Sequence, residues 1–253
     1  MAGRIAAVGR DVKHYQPGDE VFGDLSCCGF GAFAEYVCVP ESAIAPKPKN
    51  LTFEEAAAVP QAALVALQGL RDKGHVQPGQ KVLIYGASGG IGTFAVQLAK
   101  HFEAEVTGLC SSRNLDLVRA LGADHVIDYT KEDFPMRGER YDLIFATAYR
   151  SILDFKRALS PRGTYVSTGS PSVTRIFQDM VLGPALSKGG AQEFVGGWAL
   201  VPNQDLILMK ELIEAGKVRP VIDRCYPLAE TAQAFRYFGE GHSRGRVVIT
   251  VRS

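Results

Sequence analysis

Lys81-Val82-Leu83-Ile84-Tyr85-Gly86-Ala87-Ser88-Gly89-Gly90-Ile91-Gly92 joins a short apolar strand to a glycine-rich turn, and the residues from there to Lys100 repeat at helical spacing. Strand, turn and helix in this order point to a bound phosphate. The first N–H groups of a helix lack intrahelical partners and carry the positive end of the peptide dipoles, so an anion satisfies both. Glycines at 89 and 90 let the backbone lie against a pyrophosphate, and Gly92 lets the helix pack closely on the strand. Ala87 stands at the first glycine of the G-x-G-x-x-G spacing. That spacing also occurs in turns that bind nothing, so its context decides. Gln77-Pro78-Gly79-Gln80 is a turn that introduces the strand, and Ile91, Phe94, Ala95, Leu98, Ala99 and Phe102 form one apolar helix face. Val106-Thr107-Gly108-Leu109-Cys110 is a second strand and completes a βαβ unit.

The residues Gly86-Ala87-Ser88-Gly89-Gly90 also spell the G-x-S-x-G nucleophile elbow, with Ser88 as nucleophile and Asp142 and His242 in the chain order a triad needs. Gly92 has no part in an elbow, and no His-Gly-Gly segment precedes the strand, so the phosphate reading is preferred. A turn with a purely structural role is the third alternative.

The 253 residues are 46% hydrophobic with a formal net charge of +1, enough chain for one large or two modest domains. Charges of both signs are interspersed, so neither a nucleic-acid stripe nor an acidic tail is present. The apolar runs at 56–60 and 62–67 are too short to span a bilayer, and the first residues carry no cleavable secretory pattern, which makes the cytoplasm the expected compartment. Cysteines at 27, 28, 38, 110 and 225 make an odd count that argues for reduced thiols. Cys27 and Cys28 are adjacent, which does not give C-x-x-C geometry, so no metal site is expected.

Arg4 to Val8, Glu20 to Gly23 and Ala32 to Val39 read as short, partly alternating strands. Thr52-Phe53-Glu54-Glu55 is a capping box; the helical pattern it opens is interrupted by Pro60, resumes from Gln61 to Arg71 and stops at Gly74. From Gln80 to about Trp198 strands and helices alternate, with strands centred on Leu83, Thr107, Ile127, Ile144, Val166 and Val195, which predicts a doubly wound α/β domain. Helices near Gln204 to Ala215 and Glu230 to Phe238, with strands near Val221 to Cys225 and Arg246 to Val251, form a tail expected to rejoin the first fifty residues.

In dinucleotide folds a carboxylate at the end of the second strand bonds the adenosine ribose and repels a 2′-phosphate. Here Cys110-Ser111-Ser112-Arg113-Asn114 offers two hydroxyls, a guanidinium and an amide, a set suited to a phosphate, so NADPH is expected over NADH. Asp116 falls one helical turn too late to be the ribose ligand. The alternative is that Ser112 or Asn114 caps the next helix and Arg113 is a solvated charge.

The segments Gly86 to Gly92, Leu121-Gly122-Ala123-Asp124-His125-Val126-Ile127-Asp128-Tyr129 and Gly216-Lys217-Val218-Arg219-Pro220-Val221-Ile222-Asp223-Arg224 resemble the medium-chain dehydrogenase/reductase superfamily, within which the zinc-independent quinone oxidoreductases fit best. Tyr226-Pro227-Leu228-Ala229-Glu230 and Gly241-His242-Ser243-Arg244-Gly245-Arg246 are similar to the family's closing strand, so the resemblance covers essentially the whole chain. It implies a Rossmann parallel sheet plus an incomplete GroES-like β-rich catalytic domain. Residues 1–52 would belong to the GroES-like domain, 53–202 to the dinucleotide-binding domain, and 203–253 would return to the first. The resemblance further implies that Ser88, Gly89, Gly90 and Ile91 hold the pyrophosphate, and that Ser111, Ser112 and Arg113 hold the 2′-phosphate. Tyr129 would contact the adenosine side, while Thr168, Gly169 and Ser170 would approach the nicotinamide half. Packing of Tyr129 on the sheet edge and an ordinary strand-to-loop turn at 168–170 are the alternatives.

Two departures from the family pattern matter. Gln61 stands where zinc-dependent relatives carry a cysteine ligand, and only Phe22 to Phe33 occupies the place of their four-cysteine loop, so the resemblance implies a zinc-free protein. Met1 to Gly9 resembles the middle of the family's first domain, not its beginning. The first several strands, which line the substrate cleft and supply any catalytic acid or tyrosine, are therefore expected to be missing; truncation, a misassigned start and a degraded enzyme are the open explanations. The implied reaction is hydride transfer from NADPH to a quinone or conjugated enone in a cleft between the two domains. No catalytic acid or base is expected, since His14, His75 and His101 have no evident partners in the sequence. The alternatives are reduction of an alkenal, enone or enoyl thioester, a zinc-free alcohol dehydrogenase-like activity, and NADPH binding without catalysis. The family also implies a homodimer, with Glu193 to Trp198 as the candidate edge.

Overall fold

The structure is a computed structural model that describes residues 1–148, 150–168, 191–196, 204–241 and 243–251. Gly169, Ser170, Gly197, Trp198 and His242, singled out above, lie outside the described residues. The chain divides into two compact units, Met1–Leu64 with Leu200–Ser253, and Val65–Ala199.

The unit Val65–Ala199 is built on six parallel strands: β4 (Lys81–Tyr85), β5 (Glu105–Cys110), β6 (His125–Asp128), β7 (Tyr141–Ala146), β8 (Leu159–Ser167) and β9 (Glu193–Gly196). Their order across the sheet is β6-β5-β4-β7-β8-β9. The order reverses between β4 and β7, the switch point at which doubly wound sheets open a crevice beyond their strand ends. Each of the six strands expected from the sequence forms. Val82, Leu83 and Ile84 are fully buried, which is why the central strand reads as an unbroken apolar run with no alternation. Helices α3 (Gly92–His101), α4 (Leu115–Ala120) and α5 (Ile152–Ala158) connect the strands. Burial of α3 exceeds the one face predicted: Thr93, Val96 and Gln97 are buried along with Phe94, Ala95, Leu98 and Ala99. Gln97 tolerates this position because its Nε2 donates to the Thr93 carbonyl at 2.9 Å.

One aromatic chain dominates the core of this unit. Phe155 stacks on Tyr165 with ring centroids 4.8 Å apart and meets Tyr85 edge-on at 5.2 Å, while Tyr165 reaches Phe194 at 5.8 Å. These contacts link β4, α5, β8 and β9, so that strands on both sides of the switch point share one packed surface. Gly69, in a π-helical turn that continues from the helix before it, lies so close to β7 that an added Cβ would stand 2.2 Å from the Phe145 ring.

The other unit holds an antiparallel sheet of β1 (Ala2–Arg4), β2 (Glu20–Gly23) and β3 (Ile44–Pro46), and a parallel pair, β10 (Ile222–Pro227) with β11 (Arg246–Thr250). Helices α1 (Phe53–Ala57), α6 (Gln204–Glu214) and α7 (Thr231–Gly239) also belong to it, and α2 (Pro60–Gln68) runs across the division. The capping box is formed: Thr52 accepts from Glu55 N–H, and the Glu55 side chain accepts from Thr52 N–H. The strand expected over Ala32 to Val39 does not form, and β3 lies further along the chain instead. Alternation alone makes no strand without a ladder partner, and Phe33 instead packs edge-on against Phe235 at 5.6 Å. The strand expected at Arg4 to Val8 is displaced to Ala2–Arg4: Ile5 still bonds Asp19 and Gly18 across the pair, and the partner chain then leaves the ladder in the turn closed by Asp19 N–H on the Gln16 carbonyl.

Candidate functional site

The parallel registers bring Asp128, Cys110, Tyr85, Ala146, Ser167 and Gly196 to the carboxyl ends of neighbouring strands. Every described residue given a ligand role by the sequence follows one of these ends. Ser88, Gly89, Gly90 and Ile91 lie between β4 and α3, and Ser111, Ser112 and Arg113 follow β5. Tyr129 follows β6 and is 53% exposed, and Thr168 follows β8. The structure therefore brings all four groups to one edge of one sheet.

Short-range geometry fixes the glycine turn. Gly86 and Ala87 donate their N–H groups to the Leu109 carbonyl, which ties the turn to the end of β5. Gly86 has a φ of +89°, and a Cβ there would meet Thr147 Oγ1 at 2.4 Å. At Gly92 a Cβ would stand 2.1 Å from the Gly86 carbonyl oxygen, so the helix approaches the strand as closely as backbone allows. Within the turn, Gly89 N–H donates to Gly86 and Thr93 N–H to Gly89. The N–H groups of Gly90 and Ile91 find no acceptor among the described residues, and they stand at the start of α3, where a helix favours an anion.

Beside this turn lies a hydrogen-bonded cluster that the sequence did not disclose. Asn114 is buried, 4% exposed, and its Nδ2 donates to Ser88 Oγ at 2.9 Å and to Ser111 Oγ at 3.2 Å. Its side chain does not cap α4, and its Oδ1 is buried with no partner among the described residues. On the far side of Ser111, the buried carboxylate of Asp128 accepts from Ser112 Oγ at 2.5 Å and from Thr130 Oγ1 at 2.6 Å. The Ser112 hydroxyl, then the Thr130 hydroxyl, hold the Asp128 carboxyl down at about 2. Cys110, at the floor of the same corner, has its thiol pushed up to about 11 by burial and then by the Asp128 charge, so it is no thiolate nucleophile. Asp116 pairs with Arg119 at 3.0 Å on the surface of α4.

Across the switch point, Thr147 N–H donates to the Tyr85 carbonyl and Thr147 Oγ1 lies 3.0 Å from the same oxygen. Thr168 Oγ1 donates to the Ala146 carbonyl at 3.2 Å. Sequence reasoning missed Thr147, whose place becomes meaningful only once β7 is known to adjoin β4.

The nucleophile-elbow alternative fails on geometry. Asp142 accepts from Lys81 N–H at 3.0 Å, at the amino end of the sheet, whereas Ser88 lies beyond its carboxyl end. A five-residue strand separates the two by roughly 15 Å, far outside a triad. No three His, Cys, Asp or Glu side chains are grouped so as to hold a metal ion among the described residues.

Comparison with known proteins agrees with this architecture. Residues 121–249 match the family described as zinc-binding dehydrogenase, and residues 1–49 match the alcohol dehydrogenase GroES-like domain. The chain is 35% identical to the mouse mitochondrial NAD(P)H oxidoreductase RTN4IP1, over 99% of this chain and 69% of that protein. It is also 35% identical to tomato 2-methylene-furan-3-one reductase, over 98% of this chain and 62% of that protein. The solved quinone oxidoreductase of Coxiella burnetii superposes with a TM-score of 0.87 at 32% identity, covering 99% of this chain and 78% of that one.

Proposed function

Since this chain belongs to the medium-chain dehydrogenase/reductase superfamily, among its quinone oxidoreductase-like members, we propose that it transfers hydride from NADPH to a quinone or a conjugated enone without zinc. A nicotinamide cofactor supplies the hydride when bound. The observation that carries the proposal is the glycine turn at the start of α3 beside the residues that follow β5, Ser111, Ser112 and Arg113, which include no carboxylate, the neighbouring Asp128 being taken up by Ser112 and Thr130. Ser88, Gly89, Gly90 and Ile91 bind the pyrophosphate, and Arg113 and Ser111 engage the 2′-phosphate. Ser112 directs its hydroxyl proton to Asp128, so its part is to hold the shape of that loop. Tyr129 lies over the adenosine side, while Thr168, with Gly169 and Ser170, orients the nicotinamide half. A quinone that accepts hydride can take its proton from water, so these residues need only bind and orient.

The acceptor class draws support from relatives. One is named for quinones and another for 2-methylene-furan-3-one, a conjugated enone. The zinc-free reading draws support from Gln61, an amide at the second residue of α2. The remaining parts of the proposal are a homodimer formed through β9, the edge strand of its sheet, and a cytoplasmic location, in keeping with five cysteines that form no disulfide. No described helix is long and apolar enough to cross a membrane.

The test is NADPH consumption with a panel of quinones and enones after dialysis against a chelator, beside a fluorescence titration of NADPH. Turnover that survives chelation is expected. Binding without turnover on any acceptor would leave a cofactor-binding protein and refute the catalytic reading. Absence of binding would refute the cofactor reading itself.

A further inference from the structure

We propose that Asn114 is a positioning residue that turns the hydroxyls of Ser88 and Ser111 into hydrogen-bond donors toward the bound dinucleotide. The inference rests on the cofactor reading above and assigns the work of one buried amide within it.

The argument is one of proton accounting. A serine hydroxyl has one proton to give and two lone pairs with which to accept. Asn114 Nδ2 points at both Ser88 Oγ and Ser111 Oγ, so each oxygen already accepts and each keeps its proton for another acceptor. Both serines are half-buried and Asn114 is buried behind them, so the side of each hydroxyl away from Asn114 is the accessible one. An anion over the glycine turn and the end of β5 is the acceptor that completes the set. The contrast with Ser112 sharpens the point. Its proton goes to Asp128, an acceptor in every protonation state met above about pH 4, so Ser112 is held as an acceptor while Ser111, one residue earlier, is held as a donor. The unpartnered Asn114 Oδ1 fits the same account. Burying an acceptor without a partner is unfavourable, and the amide stays in that orientation because Nδ2 serves two oxygens at once.

Two substitutions separate this role from a merely structural one. In N114A the hydroxyls regain their three staggered rotamers, so each loses a bias of up to about threefold and NADPH should bind about three- to tenfold more weakly. In N114D the shape is kept, but an ionised carboxylate can only accept. Ser88 and Ser111 would then donate backwards and present lone pairs and a nearby negative charge to the phosphates, so binding should fall about tenfold beyond N114A at pH 8. At pH 5 the introduced carboxyl is partly protonated and can donate to one serine, so the ratio of N114D to wild-type affinity should rise as pH falls. Among the native groups facing this corner, Asp128, held at about 2, and Cys110, at about 11, lie outside that window; Arg113, Lys131 and Tyr129 are its other charged or titratable side chains.

Fluorescence titration of NADPH with wild type, N114A, N114D and the double variant S88A/S111A, each checked for its thermal midpoint, gives the answer. The pH-dependent loss should appear in N114D and shrink to less than threefold when N114D is placed in the S88A/S111A background. If N114D binds NADPH as wild type does at both pH values, the amide faces the other way or has no influence, and the proposal falls. If N114A and N114D weaken binding equally at all pH values, an acceptor at this position does not reverse the hydroxyls and the proposal falls as well. If wild type itself binds no NADPH, the cofactor reading fails instead, which is a separate result.

Discussion

Replacing Gly92 by alanine probes the closest backbone contact in the cradle. The new Cβ would stand 2.1 Å from the Gly86 carbonyl oxygen and 2.9 Å from Ala87 Cα, all backbone, with no flexible side chain to give way. To reach the 3.4 Å of an ordinary contact, α3 and the turn must separate by about 1.3 Å, in a packed interior where gaps of that size forfeit dispersion along both surfaces. Overpacking of this kind costs about 1–3 kcal/mol, and alanine's better helix propensity returns little at the first residue of a helix. The same displacement moves the Gly90 and Ile91 N–H groups off an anion, and losing one charge-assisted hydrogen bond costs about 1.5–3 kcal/mol, or at least tenfold in affinity. Urea unfolding and NADPH titration of G92A should therefore both report losses. Gly239→Ala is the control: nothing lies within 4 Å of its Cβ at the end of α7, and a gain of about 0.5–1 kcal/mol is expected. A G92A protein with unchanged urea midpoint and unchanged NADPH affinity would refute this account of the turn.

Arg113→Ala should weaken NADPH by about tenfold or more while leaving NADH within about twofold, since the guanidinium is assigned to the 2′-phosphate alone; equal losses in parallel titrations would remove that assignment. Asp128, held at about 2 against an ordinary 3.8, contributes stability that is complete above about pH 4 and is lost as pH falls toward 2. The stability gap between wild type and D128N should therefore narrow across that acid limb, and a gap independent of pH would contradict the geometry. Phe155→Ala opens the centre of the aromatic chain, with a ring fully buried between Tyr85 and Tyr165, and should cost about 3–5 kcal/mol in chemical denaturation; a loss under about 1 kcal/mol would mean that the site collapses freely.

The parallel sheet was legible because burial on both faces leaves an apolar run with a sharp turn at each end, as at Val82-Leu83-Ile84 followed by Gly86. Ala32 to Val39 was misread because alternation reports a half-buried surface, and a strand also needs a neighbour to pair with. At the site, the glycine turn could be read since its residues are contiguous and chemically unusual. The Asn114 bridge could not, because Asn114 and Ser88 are 26 residues apart and meet only through the register of β4 on β5. Asp128 appeared in the sequence as part of a motif, but its grip on Ser112 follows from Cys110 pairing with Asp128 across β5 and β6. Thr147 carries no local signal at all and gains its place from the reversal of strand order at the switch point.

Crystallography of the protein grown with NADPH tests the central claim most directly. The account predicts pyrophosphate density over Ser88 to Ile91 at the start of α3 and a 2′-phosphate beside Ser111 and Arg113. Density for the dinucleotide anywhere else on the chain, or none at saturating NADPH, would contradict it.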